Sequence, residues 1–305
     1  MSAAFGREGY FGFKLQTTKG SYEAPDTWLP LLDLPPGRRQ RGFRGIAEHH
    51  NYVVLNMADR NAYQSKYFSA GRWVEGSISV PLIPGAVGNL LSWIQGRDTD
   101  GQGAWGSVLV DCVHAVKKIT DCKVRRARFR FRKSREVDCM LDVAALLMEA
   151  GSPTSPSIPT APPYVFTEAA VQLETGGQGL SADVHCERIV IDIDNVVEEP
   201  AEGMRLREST TPLQLYNLAG VRCTGVFDRD FVDSGVYDDF ISGTEAALSI
   251  VLQRGTDTCT FTLPRLVYEA DSVDLPGVGD ERIVERVAFR ALGSVDGATA
   301  PITLS

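Results

Sequence analysis

The sequence predicts a mainly β protein made of two tandem copies of one unit, each with a flanking α-helix. Three observations support this prediction. Many short segments alternate apolar and polar residues as strands do, two similarities recur along the chain at nearly the same spacing, and a segment rich in Pro, Ser and Thr separates the two halves. The 305 residues are enough for two domains of ordinary size.

The repeat consists of two weak similarities that occur in the same order. Gly71–Val80 (GRWVEGSISV) aligns with Gly220–Arg229 (GVRCTGVFDR) so that the glycines coincide, and Ser134–Leu147 aligns with Asp280–Gly293. The offsets are 149 and 146 residues. Because two matches at almost the same offset are stronger evidence than either alone, we infer two copies of one β-rich unit.

The individual elements follow from local patterns. A helix is predicted after each glycine-containing segment, over residues 85–96 and 234–243. Residues 20–45 contain Pro and Gly without a clear period, which predicts a long loop. Partial alternation predicts six further strands, at Tyr10–Thr17, Asn51–Met57, Gly106–His114, Glu187–Asn195, Ala247–Arg254 and Cys259–Glu269.

Composition and charge place a domain boundary near residue 150. Residues 151–163 (GSPTSPSIPTAPP) cannot hold a helix or a central strand, so they are predicted to link a domain over 1–150 to a domain over 164–305. The chain up to residue 150 carries 21 basic and 15 acidic residues, net +6, and the remainder carries 10 and 24, net −14. The acidic half argues against DNA affinity for the whole chain.

An arginine-rich strand is predicted in the first half. The segment KVRRARFRFRK, Lys123–Lys133, contains seven basic residues among eleven. In a strand its Ala and Phe side chains face the core, and the opposite face is an arginine ladder made of Arg126, Arg128, Arg130 and Arg132. Three interpretations remain open: a solvated face, a nucleic-acid contact without a recognised binding motif, and an interface with an acidic partner such as residues 228–239 or 197–203.

Cysteines, histidines and termini suggest neither a metal site nor a membrane protein. The six cysteines form no CxxC pair and are expected to be free thiols. His49 and His50 are expected at the surface, where the long loop ends. No apolar run is long enough to span a bilayer and no secretory signal is apparent, so we expect a protein kept in the cytoplasm until it is assembled.

Catalysis has little support in the sequence. There is no GxSxG, HExxH or P-loop motif. Asp192 and Asp194 are expected on the wet face of a strand, because the loop pattern of a calcium site is missing. Asp228 and Asp230 could serve as the carboxylate pair of a hydrolase, although nothing else supports that role. We therefore expect no enzyme and no cofactor.

The order of these segments resembles the tail tube (major tail) proteins of long-tailed, siphovirus-type bacteriophages. The resemblance runs from Phe11 to Leu292 but includes neither the linker nor the arginine ladder. The similar segments are FGFKLQTTKGSYEAPDTWLPLL, FSAGRWVEGSISVPLIPGAVGNLLSWIQG, ERIVIDIDN, AGVRCTGVFDRDF, CTFTLPRLVYE and RIVERVAFRAL.

This resemblance implies two tail-tube-type domains, each a β-sandwich or split barrel with a flanking helix. Such proteins form stacked rings around a channel for the genome and the tape measure protein, and their tubes meet tail terminator and distal tail proteins. Most rings contain six single-domain chains, so a duplicated chain is expected to close as a trimer with pseudo-sixfold symmetry. DNA is expected to pass without specific binding, and the protein to reside in the virion tail after assembly in the host cytoplasm.

We expect the charged segments to form interfaces between subunits or rings. A channel that carries DNA should repel phosphate, so we expect the arginine ladder away from the lumen, paired with acidic residues of a neighbouring domain or ring. A different virion ring component, such as a tail terminator, baseplate hub or decoration protein, remains an alternative, and a β-sandwich hydrolase is a weaker one. The expected interface residues are Arg126, Arg128, Arg130 and Arg132, the loop residues Arg38, Arg39, Arg41 and Arg44, and the acidic residues Asp228, Asp230, Asp238 and Asp239.

Overall fold

The computed structural model describes residues 10–32, 45–55, 66–97, 101–111, 115–152, 154–202, 214–274, 282–294 and 299–305. These residues form fifteen strands, two α-helices and a short 3-10 turn at Phe166–Glu168. The helices are α1 (Val87–Gln95) and α2 (Gly235–Ser242). The strands are β1 (Tyr10–Leu15), β2 (Thr27–Pro30), β3 (Gly45–Leu55), β4 (Lys66–Pro81), β5 (Gly106–Asp111), β6 (Val116–Arg132), β7 (Asp138–Ala150), β8 (Ala169–Glu174), β9 (Leu180–Ala182), β10 (Cys186–Asp194), β11 (Arg222–Asp230), β12 (Ala246–Arg254), β13 (Asp257–Asp274), β14 (Val284–Ala291) and β15 (Thr303–Leu304).

The predicted mainly β fold is confirmed. Both predicted helices are present, and all six strands predicted from alternation lie on strands of the structure. The predicted long loop contains the short strand β2, which pairs with β1. Neither helix of the described residues is long and apolar enough to cross a membrane.

All strands belong to one antiparallel sheet that branches at β6. One path runs β2-β1-β5-β6-β10-β11-β14-β13-β12-β8-β9. The strands β3, β4 and β7 join this path through the β7–β6 pairing, and β15 pairs with β13. Because β6 and β10 pair directly, the sheet continues across the linker, and the division into domains at residues 151–163 stays a prediction.

The two halves repeat one topology. The strand order β3-β4-β7-β6-β5-β1-β2 in the first half matches β10-β11-β14-β13-β12-β8-β9 in the second, and each half places its helix after the second strand of this order. The registers also agree where three strands meet: Cys122 pairs with Gly106 and Ala145, and Leu266 pairs with Ala246 and Ala291. In both halves a β-bulge follows two residues later, between Val124 and Arg126 and between Tyr268 and Ala270.

The aligned glycines Gly76 and Gly225 explain one feature of this repeat. A Cβ atom on Gly76 would lie 2.1 Å from the carbonyl oxygen of Gly45, and one on Gly225 would lie 2.6 Å from that of Val190. Both positions therefore need glycine because another backbone approaches closely. The approaching strands are β3 and β10, which the strand order also makes equivalent.

One large apolar core joins the two halves. Phe129 and Phe131 of β6 pack edge-on against Phe261 of β13, with ring centroids 4.9 and 5.2 Å apart. Trp93 of α1 stacks on Phe13 of β1 at 5.2 Å. The contacts of Phe129 and Phe131 with Phe261 join the two halves, whereas Trp93 holds α1 against the sheet of its own half.

Candidate functional site

The arginine ladder lies on one face of β6, as the alternation predicts. Ala127, Phe129 and Phe131 are completely buried in the core. The four arginines project from the opposite face, where Arg126 is exposed and the other three are partly buried. The alternation thus separates a core face from a charged face along a single strand.

Carboxylates of the same chain neutralise this ladder. Arg128 binds Asp192 of β10 through two hydrogen bonds of 2.6 and 2.9 Å, and Arg126 lies 3.5 Å from Asp194. Arg130 and Arg132 both contact the buried Asp138 of β7. Because these cations already have partners, the ladder is not a row of free positive charge, and the physical reason to expect it away from a DNA channel no longer holds.

The rungs of the ladder should differ in their effect on stability. Replacing Asp138 by Ala leaves Arg130, which is 11% exposed, without its carboxylate, and should lower the free energy of unfolding by about 3 kcal/mol. Replacing Asp194 by Ala removes the partner of the half-exposed Arg126 and should cost about 1 kcal/mol or less. Urea unfolding of the two variants measures both values. Equal losses would contradict a ladder whose strength depends on burial.

The other predicted interface residues have intrachain partners or lie outside the described residues. Arg38, Arg39, Arg41 and Arg44 fall outside the described ranges. The four carboxylates contact Arg286 at 2.8 Å (Asp228), Arg282 at 3.0 Å (Asp230), the Ser234 hydroxyl at 2.8 Å (Asp238) and the Gly176 amide at 2.8 Å (Asp239). Their role between subunits stays a prediction, and the pairing of Asp228 and Asp230 with guanidinium groups gives a hydrolase pair no support.

A cleft of about 760 Å³ lies on the charged face between β3 and the end of β10. Ala47 and His49 line one side, and Arg125 contacts Glu75 and Glu199 across it. His49 stacks on Trp73, with ring centroids 5.6 Å apart. The expectation that His49 and His50 end a loop is wrong, because both lie within β3.

Metal and thiol chemistry find no site in the part of the chain that the structure describes. No three His, Cys, Asp or Glu side chains there could hold a metal ion. The five described cysteines are free, and burial raises the pKa values of the Cys223 and Cys259 thiols to about 12. Raised thiol pKa values make these cysteines poor nucleophiles.

The two halves meet at the pairing of β6 with β10. The backbone N–H of Lys133 donates to the backbone carbonyl of Glu187 at 3.2 Å, and the backbone N–H of Asn195 donates to the backbone carbonyl of Arg125 at 2.8 Å. Antiparallel hydrogen bonds recur at every second residue, so the odd-numbered residues of β6 from 125 to 133 face β10 with their backbone groups. We call this pairing the internal junction.

The equivalent edge of β13 is open. Leu266 pairs with β12 on one side and β14 on the other, so these two strands occupy opposite edges. Over residues 267–274, no strand of the described residues pairs with β13 on the side where β12 pairs. This side of β13 corresponds to the side of β6 on which β10 pairs. By the shared register Asp271 and Val273 correspond to Ala127 and Phe129, so their N–H and C=O groups point to this open edge.

The strand β3 presents a matching open edge. It pairs with β4 alone within the described ranges, whereas the equivalent strand β10 pairs with both β11 and β6. Ile46 pairs with Gly76 as Ile191 pairs with Gly225, so Ile46 corresponds to Ile191. Within the described residues, each chain therefore carries one unpaired copy of each side of the internal junction.

A buried cluster of charges lies beside the open edge of β13. Arg229 of β11 is 4% exposed, and its nitrogens lie 3.4 Å from Glu285, 3.6 Å from Asp183 and 3.6 Å from Asp233. Asp271 and Glu285 contact each other, and within the described residues no arginine or lysine donates a hydrogen bond of good geometry to either carboxyl. Burial, followed by repulsion from Asp271, raises the pKa of Glu285 to about 7, and burial raises the pKa of Asp271.

The first half has an apolar core at the same place. By the shared registers Val80 corresponds to Arg229, Cys139 to Glu285 and Ala127 to Asp271, and all three are completely buried. The fold itself therefore does not require charges there. The sequence patterns did not predict this cluster, although the repeat aligns the inward-facing Val80 with Arg229.

Comparison with known proteins agrees with these features. The family model described as "Phage tail tube protein" matches residues 6–299. The comparison with curated proteins found no match. Because the family model covers nearly the whole chain, including both halves of the repeat and the internal junction between them, the chain belongs to the phage tail tube protein family.

Proposed function

We propose that this structural protein polymerises into stacked rings that form the tail tube, the conduit for DNA ejection. The observation that supports this proposal is the pair of unused edges on β13 and β3. A surface on one side of a molecule that fits a different surface on the other side makes a head-to-tail contact, which closes into a ring when the rotation allows it. The internal junction supplies a template for that contact.

In the proposed ring, β3 of one chain pairs with β13 of the next, in the register of the internal junction. The template places Glu48 opposite Asp271, Ala47 opposite Ser272 and Ile46 opposite Val273. Backbone hydrogen bonds of the added strand then extend the sheet from chain to chain. Three chains provide six units, which supports a trimer with pseudo-sixfold symmetry over a ring of six chains.

The partners follow from this assembly and remain part of the proposal. The tape measure protein would occupy the lumen, and tail terminator and distal tail proteins would meet the tube ends. Assembly would take place in the host cytoplasm, and DNA would pass transiently. The neutralised arginine ladder suits such a passage, because paired arginines offer phosphate few free cations.

Disulfide crosslinking tests the proposed ring. In the template Ser272 and Ala47 form a non-hydrogen-bonded pair, with Cα atoms about 4.5 Å apart, a distance that a disulfide can span. We expect the variant Ser272→Cys/Ala47→Cys to give covalent dimers and trimers on oxidation, with no larger species. Electron microscopy of the concentrated protein should show hollow tubes with threefold end views.

A matched control uses the internal junction. The variant Arg128→Cys/Asp192→Cys places cysteines at the equivalent pair of the internal junction. Its disulfide should form within one chain, so the protein should keep the mass of a single chain on oxidation. A crosslinked series that continues to hexamers would overturn the trimer. Closed rings that never stack would favour a tail terminator or hub, and the absence of any interchain disulfide would overturn the proposed junction.

A further inference from the structure

The buried carboxyl pair Asp271–Glu285 has too little positive charge in the single chain. Three carboxylates, of Asp183, Asp233 and Glu285, lie within 3.6 Å of Arg229, and in the described parts of the chain no cationic side chain donates a hydrogen bond to the Asp271–Glu285 pair. Burying two adjacent carboxylates that share one arginine costs several kcal/mol by order of magnitude, so a second cation would stabilise the pair. Because Asp271 lies on the open edge of β13, that cation can come from another molecule.

The proposed ring brings a charged surface to this place. Glu48 of the incoming chain would lie opposite Asp271, and it carries Arg72 at 3.3 Å and His50 at 3.8 Å. The side chain of Arg72 is 41% exposed. Its planar guanidinium has five N–H donors, so it can bind Glu48 and a second carboxylate together.

The internal junction has apolar side chains at the same positions. Ala127 lies opposite Ile193, and Val221 corresponds by the repeat offset to Arg72. All three are wholly or partly buried in the core. At these core-facing positions the internal junction is therefore apolar on both sides, and the proposed junction between chains is charged on both sides. This matched change on two separate strands is what a selective contact between them requires.

We propose, on the basis of the ring proposed above, that Asp271 and Glu285 form a docking site for Arg72 of the next chain. The guanidinium binds the carboxyl pair when β3 adds to β13. The site also disfavours a wrong pairing, because β10 of another chain would place Ile193 and Val221 against buried carboxylates. Charged residues at these core-facing positions thus mark the junction between chains, and apolar residues mark the junction between the halves of one chain.

A double-mutant cycle tests this site. All variants carry Ser272→Cys/Ala47→Cys, and the measured quantity is the protein concentration at half-maximal interchain disulfide at neutral pH. We expect Arg72→Gln to raise this concentration about tenfold in the parent and to change it less than twofold when Asp271→Asn and Glu285→Gln are also present. Arg265→Gln, which removes a partly exposed arginine of another Arg–Glu pair, should change this concentration less than twofold in both backgrounds.

The outcomes separate this proposal from the ring itself. An equal effect of Arg72→Gln in both backgrounds, with crosslinking intact, would overturn the docking site and leave the ring unaffected. Absence of crosslinking in the parent would overturn the ring and the site together. Urea unfolding of each variant confirms that its chain is folded, so a loss of crosslinking reports on association.

Discussion

The variant Val273→Pro should fold normally and form no rings. Position 273 presents its N–H to the open edge of β13, and the hydrogen bonds to β14 are made by its neighbours. Proline removes that donor and its ring obstructs an incoming strand, which is why edge strands tolerate proline only where no partner is added. We expect the concentration needed for tube formation to rise at least a hundredfold, measured by sedimentation and electron microscopy, if pairing supplies about 3 kcal/mol or more.

Two control variants distinguish the loss of edge pairing from the loss of the side chain and from unfolding. Val273→Ala removes the same side chain but keeps the N–H, so it should leave assembly nearly unchanged. Ser272→Pro disrupts the pairing with β14 and should unfold the end of β13. Normal tubes from Val273→Pro would show that chains do not join through this edge.

The second large effect concerns the buried charges. Arg229→Val alone leaves the carboxylates of Asp271 and Glu285 in the core without their arginine, and it should lower the free energy of unfolding by about 3–5 kcal/mol. Adding Asp271→Ala and Glu285→Cys copies the apolar residues of the first half. The triple variant should recover the loss, because replacing a buried ionic group by well-packed apolar residues is neutral or stabilising by about 1–4 kcal/mol.

The pH dependence of stability gives this prediction a second readout. The pKa of Glu285 is about 7 in the folded chain, above its ordinary value of 4.5, so the folded state binds more protons than the unfolded state between these values. The free energy of unfolding should fall as pH rises from 4.5 to 7, and the triple variant should lack this fall. A triple variant as unstable as Arg229→Val would show that the two halves do not have interchangeable cores.

Sequence patterns predicted the structural features that depend on residues close together in the sequence. The faces of β6, both helices and the repeat followed from alternation and spacing. The partners of the arginine ladder did not, because Asp192 and Asp194 look like any solvated strand face until the register of β10 against β6 is known. Open edges are likewise invisible in a sequence, since they are defined by which pairings are absent.

The internal junction has a kinetic consequence. Because β6 and β10 belong to one polypeptide, their pairing occurs at an effective concentration set by the connecting segment, which for short flexible tethers is of millimolar order. The proposed ring of three such chains would need two bimolecular encounters and one intramolecular closure, where six separate units would need five encounters and one closure. In the proposed ring, joining two units in one chain therefore lowers the number of encounters needed for nucleation, and a single substitution alters every second position around the circumference.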